Sequence, residues 1–323
     1  MKINLVLWGL GRHSITKLIP AIKKSKKINL YGLFTRNKKV LRQQSKKLSC
    51  KIWNNQKSML LDNKIDVVYL ATPIGLHYKQ GKEILKSGKN LWSEKSLANN
   101  YKQVKDLVKI AKKNNLSICE AFMHLYHPIF EKIKNLINKK HIGKIVSVDL
   151  NFYCPHMKKS DWRYKKKLGG GALLDLGCYT ISTYLNLFKT NSKLFYVNLK
   201  KNKNFSVDTA GSAAFINKNI LYNLNWGFGY LYTNYIRIIG SKGTIISEPF
   251  FSKPISLTPY IKVYKNKKSN KILFSKTNHF LNMLNCFSDT IKNKNKINNH
   301  LKQCLIQSKL INELRIKNDR KKF

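Results

Sequence analysis

The chain has 323 residues, 43% of them apolar, which is enough to bury two cores and excludes global disorder. Lys and Arg number 62 against 15 Asp and Glu, a formal charge of +47, yet the lysines run along the whole length beside abundant Asn and Ile. With no RNP motif, zinc-finger spacing or leucine heptad, that charge suits a general preference for anionic ligands and points to no dedicated nucleic-acid partner.

The first apolar stretch ends at Arg12 and His13 with no small-residue cleavage site, so it reads as a buried strand over 3–8 rather than a signal peptide. No later apolar run reaches the roughly eighteen residues of a membrane helix, so no membrane partner is expected. A helix over 14–24, a strand over 30–35 and a helix over 40–48 follow. The run Asp66-Val67-Val68-Tyr69-Leu70-Ala71 lacks polar alternation and reads as a fully buried strand. A helix over 78–87 stops at Gly88; a strand over 90–93, a helix over 101–114 and a strand over 117–121 complete the alternation. The expected fold class is α/β: residues 1–123 form a dinucleotide-binding, doubly wound parallel sheet of the Rossmann type.

From residue 124 the pattern changes. A helix over 129–138 precedes a strand over 144–153, and a glycine cluster opens a helix over 172–188. β-type runs then follow one another from 193 to about 272, among them 212–216, 220–226, 235–239 and 244–246. Helices over 280–292 and 300–315 close the chain. Residues 124–323 are therefore expected to form a substrate-binding and dimerisation α/β domain with an open, mostly antiparallel sheet. Cys50, Cys119, Cys154, Cys178, Cys286 and Cys304 show no CxxC or Cys/His spacing, which suits reduced thiols in the cytoplasm and no metal site.

Directly after the first strand stands Gly9-Leu10-Gly11-Arg12-His13-Ser14. Glycines there let a pyrophosphate approach the backbone, and the helix start offers N–H groups, which makes Gly9, Gly11, Arg12 and His13 cofactor-binding candidates. Ser14 replaces the third glycine. The second strand ends Thr35-Arg36 with no carboxylate for the ribose hydroxyls, and Arg36 suits a 2′-phosphate; NADP is preferred, with NAD possible. Later strands end at Thr72-Pro73 and at Glu94-Lys95-Ser96, with His77 just beyond the former, and ligands in open α/β sheets bind at such ends. His77 reads as a capping or structural residue before it reads as a catalyst. Asp161-Trp162-Arg163 precedes Gly169-Gly170-Gly171, and Asp175 and Tyr179 stand four apart on one helical face. An acid and a phenol so placed make a proton-transfer pair, or else a dipole-favoured aspartate beside a buried tyrosine.

Together these segments resemble the glucose–fructose oxidoreductase/inositol dehydrogenase (Gfo/Idh/MocA) family, in its glucose–fructose oxidoreductase and dihydrodiol dehydrogenase branch. The resemblance extends through Glu120-Ala121-Phe122-Met123, Asp208-Thr209-Ala210-Gly211, Gly240-Ser241-Lys242-Gly243-Thr244 and Asn278-His279-Phe280. It implies hydride transfer between NAD(P) and a secondary alcohol or carbonyl of a sugar, cyclitol or related diol, with a homodimer or homotetramer built through the open sheet. It implies Tyr179 as acid/base, Lys95 as its cationic neighbour, Asp175 as an orienting group, and Trp162, Arg163 and Asp175 as substrate contacts. Glu94 and Lys95 match the family's Glu-Lys-Pro motif, but Ser96 stands in the place of proline. A cis bond before serine costs roughly 3 kcal/mol more than trans, so either the bond is trans with Lys95 re-aimed or the cis form is kept. The rival readings are a redox-neutral or non-catalytic protein holding its dinucleotide tightly, and a nucleic-acid- or anion-binding protein suggested by the charge.

Overall fold

In the computed structural model of the chain, which describes residues 2–188, 192–202 and 204–320, the N-terminal alternation builds a six-stranded, all-parallel sheet. Its strands are β1 (Ile3–Trp8), β2 (Ile28–Phe34), β3 (Lys51–Ile52), β4 (Val67–Leu70), β5 (Asn90–Ser93) and β6 (Ile118–Glu120), in the order β3-β2-β1-β4-β5-β6. The order reverses between β1 and β4, where such sheets open a crevice at the carboxyl ends of their strands. Leu5, Val6, Leu7, all of β4, Leu91 and Trp92 are fully buried, so β1, β4 and β5 read as apolar runs. The sheet belongs to one compact unit, Met1–Ala121 with Phe280–Ser308, where Phe287 packs edge-on against Trp92 at 5.5 Å.

The second unit, Phe122–His279 with Lys309–Phe323, contains an eight-stranded sheet among its described residues. The strands are β7 (Ile145–Cys154), β8 (Lys193–Lys201), β9 (Asp208–Asn217), β10 (Ile220–Phe228), β11 (Thr233–Gly240), β12 (Gly243–Ser247), β13 (Tyr260–Lys265) and β14 (Lys268–Leu273). Their order is β14-β13-β12-β11-β7-β10-β9-β8, antiparallel throughout except for the parallel pair β7–β10. On β7, Val148, Leu150 and Phe152 are buried while Ser147, Asp149, Asn151 and Tyr153 between them stay partly open. That is the alternation of a sheet covered on one face. The covering helix, residues 173–188, approaches closely because Gly177 and Gly211 both lie against the Trp226 indole; a methyl group at either would sit 2.8 or 2.7 Å from it.

Several bounds differ from those read in the sequence. The helix expected over 78–87 is Ile74–Lys86, with Pro73 as its non-helical N-cap at φ −59° and ψ 143°. The helix expected over 14–24 opens with a π-helical turn, Ser14–Leu18, and the one over 172–188 with another, Leu173–Gly177. The last helix, Lys294–Arg320, exceeds the expected 300–315. The two-residue β3 and the helix Gln56–Leu60 are too short to leave a periodic signal.

Candidate active site

β1 runs into Gly9, whose φ is +111° and whose N–H donates to the Phe34 carbonyl at 2.9 Å. A methyl group there would lie 2.6 Å from the Ala71 carbonyl oxygen, so the turns after β1 and β4 touch at the point of strand-order reversal. Gly11 is different: a methyl group there meets no protein atom within 4 Å. The chain's own packing does not ask for glycine at 11, whereas a pyrophosphate lying on this backbone does. Ser14, only 1% exposed, stands where close helix–strand packing demands a small residue.

Arg12 and Arg36 are exposed and Thr35 is partly buried just past β2. His13 Nε2 lies 3.2 Å from Glu94 Oε1, which also accepts the Tyr69 hydroxyl at 2.8 Å. Burial would raise the Glu94 carboxyl; His13, the Lys95 charge and the Tyr69 hydroxyl outweigh it and hold the carboxyl below its ordinary value. The Thr72 hydroxyl donates to Gln80 Oε1 at 2.6 Å, and Pro73 is the N-cap of the next helix. His77 is fully buried, and burial lowers its pKa, so the neutral ring is favoured. Its Nε2 lies 2.7 Å from the Thr72 carbonyl; Nδ1 lies 3.0 Å from the Ser96 carbonyl and 3.3 Å from the Ser93 hydroxyl. His77 thus ties the segment after β4 to the segment after β5.

Lys95 follows β5, half-buried, and the Lys95–Ser96 peptide bond is cis. The Lys95 charge acts on His77, Glu94 and Glu120. Glu120 ends β6 and accepts the Leu97 N–H at 2.8 Å. Burial pushes its carboxyl up to about 7, against the opposing pull of that N–H and of Lys95. Glu120 belongs to the Glu120-Ala121-Phe122-Met123 segment of the family resemblance. Its signal was its rarity, an acid at the carboxyl end of a parallel strand in a chain with 15 acids.

In the other unit, Gly170 and Gly171 fold back on Arg163: the Gly171 N–H donates to the Arg163 carbonyl at 2.9 Å, and a methyl group at Gly170 would meet that oxygen at 2.3 Å. The Arg163 side chain donates from Nε to Asp175 Oδ2 at 2.7 Å and from a terminal nitrogen to Asp161 Oδ1 at 3.3 Å. Its guanidinium lies 4.8 Å from the Trp162 ring centre. Asp175, above all, and then Asp161 raise the Arg163 pKa beyond its ordinary value. Trp162, Arg163 and Asp175 are therefore brought together. Tyr179, 7% exposed, points its hydroxyl at Met123 Sδ at 3.3 Å, with its ring among Phe122, His124, Phe152 and Phe251.

Beside this aromatic cluster lies a buried basic group with no forewarning in the sequence. His124 holds the Thr183 hydroxyl at 2.9 Å, and burial, then Lys253 and His279, lower its pKa well below the ordinary value. Burial and the Lys253 charge lower His127 to about 3. Lys253 donates to the Phe250 carbonyl and is 7% exposed; burial alone brings its ammonium to about 7. Among the described residues no group of three or more His, Cys, Asp or Glu side chains is arranged to hold a metal.

Two family models match the chain. Residues 3–122 match the oxidoreductase family with NAD-binding Rossmann fold, and residues 130–246 match the GFO/IDH/MocA C-terminal domain. The chain is 24% identical over 259 residues to a dTDP-3,4-didehydro-2,6-dideoxy-alpha-D-glucose 3-reductase of Actinomadura kijaniata, covering 80% of this chain and 78% of that protein. It is 34% identical over 138 residues to trans-1,2-dihydrobenzene-1,2-diol dehydrogenase of Xenopus laevis, covering 43% and 42%. Its fold matches the crystal structure of a 3-ketoreductase from Actinomadura kijaniata in complex with NADP and TDP-benzene, with a TM-score of 0.93, 21% identity and 98% of each chain covered.

Proposed function

The chain belongs to the GFO/IDH/MocA family of NAD-binding oxidoreductases, and from that premise we propose that it transfers hydride between NADP and a ketone or secondary alcohol of a nucleotide-linked sugar. The observation that carries this reading is Gly11, a glycine that the fold itself does not require, set where a helix starts at the strand-order reversal. The absence of a carboxylate at Thr35-Arg36 supports NADP over NAD. Residues 1–123 hold the dinucleotide in this reading, and 124–323 hold the substrate. A diphosphate-bearing substrate suits the exposed His156, Lys158, Lys159, Lys165, Lys166 and Lys167, whose loop is anchored by buried Tyr164 stacked on Phe205 at 4.1 Å. The partly uncovered face of the eight-stranded sheet suits a homodimer or homotetramer. No described helix is long and apolar enough to cross a membrane, and the free cysteines suit a reducing compartment, the cytoplasm.

When bound, the nicotinamide supplies or receives the hydride. Tyr179 gives its phenolic proton to the carbonyl oxygen in the reductive direction and takes it back in the oxidative one. A free tyrosine titrates near roughly 10, so proton exchange at neutral pH needs a neighbouring cation, the role assigned to Lys95. Asp175, oriented by Arg163, holds the substrate hydroxyl beside the reacting carbon. The test is NADPH consumption across free and dTDP-linked keto-sugars. Lys95→Ala and Tyr179→Phe each lower kcat by about 10²–10⁴-fold, and the double variant loses less than the product of the two. Wild-type rates in either single variant overturn the assignment. Tightly retained NADP without net turnover replaces it with a redox-neutral role.

A further inference from the structure

We propose that Asp208 is a positioning residue for the helix that carries Asp175 and Tyr179, fixing where that helix begins and so where both side chains point. The inference rests on the oxidoreductase reading only in naming Asp175 and Tyr179 as the groups positioned. Asp208 opens β9, 35 residues after Leu173, and its Oδ2 accepts the Leu173 N–H at 2.6 Å. That N–H belongs to the first turn of the helix, where backbone donors lack intrahelical partners and a negative charge is favoured. The carboxylate's other oxygen lies against Gly171: a methyl group there would meet Oδ1 at 2.5 Å, and Gly171 already has a φ of +124°. One partly buried carboxylate therefore accounts for the cap and adds to the need for glycine two residues before it.

The capped segment is the π-helical turn Leu173–Gly177, which contains Asp175 and ends two residues before Tyr179. A π turn carries one residue more than an α turn and persists where surrounding contacts hold it. If it relaxed to an α turn, the side chains before it would rotate by about 100° relative to those after it, because each helical residue turns the chain by that angle. Asp175 would then leave Arg163 or Tyr179 would leave its aromatic surroundings. The start of the turn is held from three directions. Asp208 takes the Leu173 N–H, the Arg163 carbonyl takes the Gly171 N–H at 2.9 Å, and the Gly171 carbonyl takes the Asp175 N–H at 3.1 Å. Burial raises the Asp208 carboxyl above its ordinary value, opposed by the Leu173 N–H and by Arg315, the nearby cation on the last helix.

Hydrogen exchange and steady-state kinetics on the full chain test this together, using Asp208→Ala and Asp208→Asn. The asparagine oxygen still accepts the Leu173 N–H; alanine leaves that donor bare. In Asp208→Ala, amide exchange across Leu173–Gly177 quickens about tenfold, as expected for a lost cap. The kcat falls about tenfold or more, while the Kd for NADPH stays within about twofold because its candidate ligands lie in the other unit. Asp208→Asn recovers most of both effects. A purely structural role would lower the melting temperature and leave kcat per folded molecule unchanged, and that result overturns the proposal. So does unchanged exchange across Leu173–Gly177 in Asp208→Ala. If the wild type turns over no sugar, the oxidoreductase reading falls, while the exchange data still decide whether Asp208 holds the helix start.

Discussion

Arg163→Met keeps an unbranched stem and deletes the charge and the donors, which isolates what the guanidinium does for Asp175. The Asp175 side chain is 8% exposed and loses the Nε–H donor at 2.7 Å. Removing one member of a buried ion pair costs about 3–5 kcal/mol, because the survivor remains buried and charged. Arg163 is 32% exposed, so water already screens part of the pair, and the expected loss falls to about 2–3 kcal/mol. The Asp161 contact, at 3.3 Å and more open on its carboxylate side, adds little. Urea unfolding followed at the transition of the second unit measures the loss. Adding Asp175→Asn to Arg163→Met restores most of the stability, since no lone charge stays buried, while kcat remains low. If Arg163→Met unfolds within about 0.5 kcal/mol of wild type, or the double variant is no more stable than the single one, the ion pair does not hold Asp175 as argued.

The two glycines after β1 should fail in opposite ways. Gly9→Ala faces a φ of +111° and a 2.6 Å approach to the Ala71 carbonyl, and loses about 3 kcal/mol or more in thermal melts. Gly11→Ala stays within about 0.5 kcal/mol of wild type but weakens NADPH about tenfold or more by fluorescence titration; unchanged affinity would remove the dinucleotide argument. Lys253 has a folded pKa of about 7 against an ordinary 10.5, so between these values the unfolded chain binds more protons than the folded one. Its contribution therefore grows more favourable as pH rises from about 7 to 10.5, and the cost of burying the ammonium is fully present below 7. Lys253→Met is accordingly more stable than wild type at pH 6, on the order of 2–4 kcal/mol, by an amount that shrinks towards alkaline pH. A gap that does not change with pH would show that Lys253 is not buried as a charge.

Buried parallel strands announce themselves as apolar runs, and glycines announce backbone that must turn or approach closely. For that reason β1, β4, the Gly9-x-Gly11 turn and the Gly169–Gly171 turn could be placed from residues 1–323 alone. The order of segments also sufficed for the family resemblance and hence for Lys95, Asp175 and Tyr179 as candidates. Composition limited the rest: among 62 basic residues Arg36 or Lys95 means little by itself, and a missing acid means little where acids are scarce. Tertiary structure alone decided who meets whom. It paired Asp175 with Arg163, set Asp208 on the Leu173 N–H, placed Glu120 within reach of the Lys95 charge, and enclosed Lys253 beside His124. Local patterns follow from backbone periodicity and burial, which neighbours in sequence share. The charge and direction of a site residue follow from partners dozens of residues away, and from how much water those partners exclude.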